Sequence, residues 1–158
     1  MRLFRRIALP PLLRAFAFLP ALAACGDIVG AGDSDERELR RATQRWNDNR
    51  IFNYDYTVQQ SCFCPAEIGR PVIVMVRGGF VYDLRYENTF SPVPPFAWSA
   101  FPTVEGLFDV IDDAIHRADN VDATFDRDFG FPRLIDIDYA RHAIDDELTI
   151  STSRFVIR

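Results

Sequence analysis

Apolar and polar positions alternate at two different periods along the chain, and the switches between them predict its elements. Residues 34–50 carry Leu39, Ala42 and Trp46 on one stripe extending toward Arg50, with charged residues around it, which predicts a helix with a narrow apolar face. Asp33 with Glu36 forms a capping-box pattern at its start. Tyr54, Tyr56 and Val58 then alternate with Asp55, Thr57 and Gln59, the period of a strand that runs toward Cys62 and stops by Pro65. The run Val72-Ile73-Val74-Met75-Val76 and the run through Val81, Tyr82 and Leu84 flank Gly78-Gly79. A Gly-Gly pair between two such runs is a hairpin signal, because both turn residues can take positive φ.

Residues 87–102 are expected to form a loop, since Pro92, Pro94, Pro95 and Pro102 interrupt any ladder. The loop is unusually aromatic, with Phe90, Phe96, Trp98 and Phe101. Thr103 can cap a second helix, in which Val104, Leu107, Phe108, Ile111, Ala114, Ile115 and Ala118 recur at three- and four-residue spacing. Acids gather toward its start, and His116 and Arg117 lie in its last turn, both favoured by the helix dipole. Three strands are expected to follow: Val121 to Phe125, Leu134 to Tyr139 past the Phe129-Gly130-Phe131-Pro132 turn, and a long edge or closing strand, Leu148 to Ile157. The order α-β-β-β-α-β-β-β implies an α+β fold, an antiparallel sheet of about six strands with two helices packed on one face.

The N-terminal residues follow a different logic. Arg2, Arg5, Arg6 and Arg14 precede a short apolar stretch, Ala15 to Leu22, which is too short to span a bilayer. Residues 1–24 thus predict a signal peptide, and Arg5-Arg6 lacks the flanking residues of a twin-arginine signal. Leu22-Ala23-Ala24-Cys25 resembles the lipobox of bacterial lipoproteins, which implies cleavage before Cys25 and acylation of its thiol. The alternative is a secreted protein with an incidental Cys near its cut site. Gly26 in place of Asp favours, by the same resemblance, sorting to an outer membrane where the cell has two. Residues 25–33 are then the lipidated Cys and a short tether reaching about 16 Å, and residues 34–158 a single domain.

All 18 basic residues are Arg, which a GC-rich genome explains; an Arg-specific binding role would need the arginines to cluster, and no cluster is expected. Removing residues 1–24 leaves 14 basic against 23 acidic residues, a net charge of about −9. This disfavours nucleic acid and anionic membrane surface as partners. The membrane is reached instead through the covalent lipid on Cys25, and no other cofactor is implied.

The Trp46 helix, the Tyr54-Asp55-Tyr56 strand, Cys62-x-Cys64-Pro65 and the Gly-Gly hairpin come in a recognisable order. Pro102-Thr103 before Leu107-Phe108-Asp109, then Phe129-Gly130-Phe131-Pro132, Ile135-Asp136-Ile137-Asp138 and Asp145-Asp146-Glu147 continue it. Together these resemble the bacterial family known as domain of unknown function 6174, over roughly residues 38–157. The resemblance implies a small, lipoprotein-like envelope protein and carries no established activity. A likeness to PepSY domains is one of layout alone.

Three kinds of chemistry remain open. Cys62-Phe63-Cys64 could be a disulfide in an oxidising envelope, a redox-active thiol pair, or soft ligands suited to copper(I). In a regular strand the two Cα atoms would lie about 7 Å apart, near the limit for a bridge, so a bulge or turn beside Pro65 is required. The acids at Asp126/Asp128, Asp136/Asp138 and Asp145/Asp146/Glu147 are compatible with calcium or an acid–base pair, but lack the spacing of a calcium loop. His116 and His142 have no nucleophile elbow beside them, and no phosphate-cradling glycine motif occurs. The leading expectation is a non-catalytic, lipid-anchored domain binding an envelope protein or small ligand through Phe90, Phe96, Trp98 and Phe101. The alternative is a metal-binding or redox protein using Cys62 and Cys64.

Overall fold

The computed structural model of the chain describes residues 31–140 and 145–158. The proposed signal peptide, Cys25, the first part of the tether and His142 lie outside the described residues.

Helix α1 (Ala31–Asn49) leads into β1 (Tyr54–Ser61), β2 (Val72–Arg77) and β3 (Phe80–Tyr86). A 3₁₀ helix (Pro95–Ala100) and α2 (Val104–Arg117) follow, then β4 (Asn120–Phe125), β5 (Pro132–Asp138) and β6 (Glu147–Ile157). The six strands form one antiparallel sheet in the order β3-β2-β1-β6-β5-β4. The fold is therefore the α+β arrangement expected, two three-stranded meanders joined through β1 and β6, with the short 3₁₀ helix as an addition. Crossing from β3 to β4 means traversing the whole sheet, about 24 Å at the usual strand spacing. The loop after β3 and α2 carry the chain across.

Three boundaries differ from expectation. The backbone is helical from Ala31, so Asp33 is inside α1 rather than its cap, and Glu36 pairs forward with Arg40 at 3.1 Å. The apolar stripe ends at Trp46, because Arg50 is exposed with φ 52° just past the helix end. Finally, of the two roles expected for the last strand, edge or closing, the edge is excluded: β6 hydrogen-bonds to β1 on one side and β5 on the other and so joins the two halves, which leaves β3 and β4 as the edges.

The hairpin between β2 and β3 is the two-residue turn expected, with Gly78 at φ 59° and Gly79 at φ 82°. Tyr54, Tyr56 and Val58 are paired across the sheet with Val76, Val74 and Val72 and are buried under the helices. On the opposite face, among the described residues, no helix covers β1. Long side chains do so instead: Arg77 and Arg158 bind the Asp55 carboxylate at 2.8 and 2.7 Å, and Thr57 donates to Glu87, which pairs with Arg154.

Both helices meet β1 at one carboxylate. Thr103 caps α2 by accepting from the Gly106 amide at 3.3 Å, which places Glu105 in the first turn, where the dipole favours it. Glu105 Oε1 accepts from the Trp46 indole at 2.9 Å, and Oε2 accepts from the Tyr54 hydroxyl at 3.2 Å. The same hydroxyl accepts from the Val104 amide at 2.9 Å. Burial pushes the Tyr54 hydroxyl far above its ordinary pKa, so it remains a donor to Glu105. Around this centre Trp46 meets Tyr54 edge-on at 5.2 Å, and Phe155 stacks on Phe131 at 4.6 Å.

The β4–β5 turn closes against α1. Asp126 Oδ1 accepts from the amides of Asp128 and Phe129 at 3.0 and 2.9 Å, shaping the loop. Gly130 then passes so close to the helix that a Cβ there would lie 2.4 Å from the Ala42 carbonyl oxygen, and its φ is 87°. Gly130→Ala is expected to destabilise the protein by about 3 kcal/mol, combining backbone strain with a displaced helix. Gly78→Ala, with open space around it, should cost only the strain, about 1 kcal/mol. Urea unfolding of both variants checks the difference; equal losses would mean that Gly130 is not a contact point.

Candidate functional site

The loop after β3 is a flap laid along the sheet edge. The Tyr86 amide donates to Ser91 at 3.0 Å and the Val93 amide to Leu84 at 3.1 Å, and Arg85 bridges Pro92. These bonds occupy part of the β3 edge that would otherwise be open to pairing with another chain. Phe90, at φ 56°, makes the reversal and donates its amide to the Tyr86 carbonyl at 2.8 Å.

From Pro94 the chain turns into the 3₁₀ helix, begun by Pro95, whose fixed φ suits a first helical position. Val93, Ala97 and Phe101 face inward and are buried, and the Trp98 indole donates to the Val93 carbonyl at 3.0 Å. Two side chains of β1 pin the far end: the Gln60 amide donates to the Ala100 carbonyl and the Tyr56 hydroxyl to the Pro102 carbonyl. Burial holds the Tyr56 hydroxyl well above its ordinary pKa, which keeps it a donor.

The four aromatics of the flap therefore separate. Phe101 is fully buried and belongs to the core, which corrects its place in the candidate surface: the 3₁₀ turn rotates it under the flap rather than outward. Trp98 shows 37% of its surface, Phe90 58% and Phe96 65%. The Arg85 guanidinium stands 5.7 Å from the Phe90 ring centroid. The candidate surface is thus two exposed phenylalanines and the edge of an anchored tryptophan.

Cys62 and Cys64 follow the last residue of β1, where the chain bends. The bend brings their Cα atoms to 5.2 Å, within bridging range, and the sulfurs are bonded. In this form neither sulfur is a thiolate, the state that metal binding requires. Both cysteines are half-buried, whereas Phe63 between them is 81% exposed.

Two of the three acidic clusters are tied to local structure through Asp126 and Asp136, whereas both carboxylate oxygens of Asp146 are buried with no hydrogen-bond partner among the described residues. Asp126 holds its own turn, and Asp136 accepts from Thr149 at 3.0 Å across β5 and β6. Among the described residues no group of three or more His, Cys, Asp or Glu side chains could hold a metal ion. His116 is exposed at the end of α2, with Nδ1 2.7 Å from the Asp112 carbonyl. That hydrogen bond, aided by Asp112, Glu36 and Asp113, raises its pKa above the ordinary value, the dipole position expected from sequence.

One cluster was not expected. Arg37, Arg41 and Arg45 lie at four-residue spacing on one side of α1, and Arg127 of the β4–β5 turn borders the same groove. The arginines do gather in space. The spacing along the helix is a signal that the sequence contained; the approach of Arg127 depends on how the loop docks.

A two-layer α+β domain with a capped sheet edge and exposed aromatics is the class of protein that these features define. Residues 38–157 match the family model DUF6174, described as a family of unknown function, and the chain belongs to that family. The match runs from within α1 to the last residue of β6 and so includes every strand. No curated protein and no solved structure matches the chain.

A bridge across so short a loop removes little entropy from the unfolded chain. Replacing Cys62 and Cys64 together by Ser is expected to lower stability by about 1.5 kcal/mol or less. Urea unfolding of the variant checks this; a loss well above that figure would make the bridge a main support of the fold.

Proposed function

We propose that the protein is a lipid-anchored, non-catalytic binding domain of a bacterial cell envelope. It engages an envelope protein or small ligand through Phe90, Phe96 and the exposed edge of Trp98. The anchoring rests on Leu22-Ala23-Ala24-Cys25 and on the few residues between Cys25 and Ala31, from which the domain is described. Whatever its conformation, a chain of six residues spans at most about 20 Å. The domain would therefore sit against the bilayer, on the periplasmic side of the outer membrane where there are two membranes. Nucleic acid is not among the expected partners.

The observation that carries the binding role is the exposed Phe96 on a segment fixed from below. Val93 and Ala97 are buried beneath it, Trp98 is bonded to Val93, and Gln60 and Tyr56 hold the segment's end. An aromatic held in place before binding loses little entropy on contact, which is why such residues act as anchors. Phe96→Ala should abolish co-purification of a partner from native membranes while changing the unfolding free energy by no more than about 0.5 kcal/mol. Unchanged co-purification would rule out this surface.

A second reading is favoured by the half-exposed Cys62–Cys64 bridge: an exchange partner for thiols in the envelope. The Cys62→Ser/Cys64→Ser variant separates the two, since partner capture through Phe96 should survive it and thiol exchange should not. A bridge that withstands strong reductant, seen by intact mass, would eliminate the second reading.

A further inference from the structure

Between α1 and the β4–β5 turn runs a groove of about 670 Å³, a volume in the range of small-ligand sites. One wall is the row Arg37, Arg41, Arg45, spaced so that the three side chains lie one above another over about 12 Å of helix. The other wall carries Arg127, and Phe125 supplies an apolar flank. Gly130 makes this arrangement possible: its lack of a side chain lets the turn press on the helix backbone at Ala42. Arg45 then joins the two walls by donating to the Asp126 carbonyl at 3.3 Å.

The charge of the groove is opposite to that of the chain. The protein carries −5 overall, yet four guanidinium groups line the groove with two carboxylates, Glu38 and Asp126, a local surplus of two positive charges. Asp126 is already engaged by two amides of its own turn. Among the described residues, Arg41, Arg45 and Arg127 have no carboxylate within ion-pair distance. By contrast Arg40, one position round the helix, is paired with Glu36 at 3.1 Å.

We infer that this groove is a binding site for a phosphate-bearing ligand. Guanidinium forks match phosphate oxygens in pairs, and a tetrahedral phosphate can meet forks from both walls at once, whereas a planar carboxylate satisfies one. A phosphate monoester carries a charge of roughly −1.5 to −2 at neutral pH, which matches the surplus. The ligand is a free phosphate compound or the headgroup of an anionic lipid; both present the phosphate oxygens that the forks meet, and the lipid phosphodiester carries a single negative charge. The site is independent of the aromatic flap: the flap borders β3 at one edge of the sheet, and the groove borders β4 at the other.

The test uses the protein purified from its host in neutral detergent and titrated calorimetrically with two probes, inorganic pyrophosphate and a short-chain phosphatidylglycerol. At least one probe should bind saturably at a single site, with affinity falling as sodium chloride rises. Arg41→Gln with Arg127→Gln should weaken that binding about tenfold or more, with the melting temperature unchanged, and Arg40→Gln should leave it intact. Binding of pyrophosphate alone assigns a free phosphate compound, and binding of the lipid alone assigns a headgroup; either supports the inference. No saturable binding of either probe, or equal affinity in the double variant, overturns it.

Discussion

The Glu105 carboxylate is the point where α1, α2 and β1 are held to one another. Its two oxygens take the polar ends of Trp46 and Tyr54, two of the largest side chains in the core. An indole N–H and a phenol buried without partners would each cost about 1–3 kcal/mol, so the carboxylate makes large aromatics affordable inside a small domain. It also fixes direction, because it extends from the first turn of α2 while Trp46 comes from near the end of α1. Once α2 is placed, the chain segment before it is placed too. Tyr56 and Gln60, on the same face of β1, hold the carbonyls of Pro102 and Ala100. The flap is thus an extension of the core.

Much of this was legible in sequence because it is local. Period two in Tyr54-Tyr56-Val58, the Gly78-Gly79 turn and the apolar spacing of Val104 to Ala114 each report a conformation that neighbouring residues decide. What escaped depends on contacts distant in the chain. Leu148 to Ile157 reads as a strand, but only pairing with both β1 and β5 makes it central. Phe101 looks like its neighbours Phe96 and Trp98 in sequence, yet the 3₁₀ turn sends it to the opposite side. Asp55 and Thr57 sit on the outward face as the alternation implies, and become buried because arginines fold over them.

The arginine groove shows the same division. The four-residue spacing of Arg37, Arg41 and Arg45 was readable as a helical row. Its second wall was not, since Arg127 is 82 residues further along than Arg45 and is brought over by the close approach of Gly130 to Ala42. A rigid hydrophobic surface at one sheet edge and a cationic groove at the other give the domain two separable ways to make contact, both built on the same Glu105-centred core. The disulfide after β1 lies outside that core and closes a loop of its own.

A double-mutant cycle between Tyr54→Phe and Glu105→Gln tests the central role of this carboxylate most directly. Both replacements preserve shape: Tyr54→Phe removes the donating hydroxyl, and Glu105→Gln removes the charge and leaves one accepting oxygen for the two donors, Trp46 and Tyr54. Each alone should destabilise the protein by about 1–3 kcal/mol, and the double variant should lose less than the sum, by a coupling of about 1 kcal/mol or more. Additive losses, within about 0.5 kcal/mol, would contradict the account.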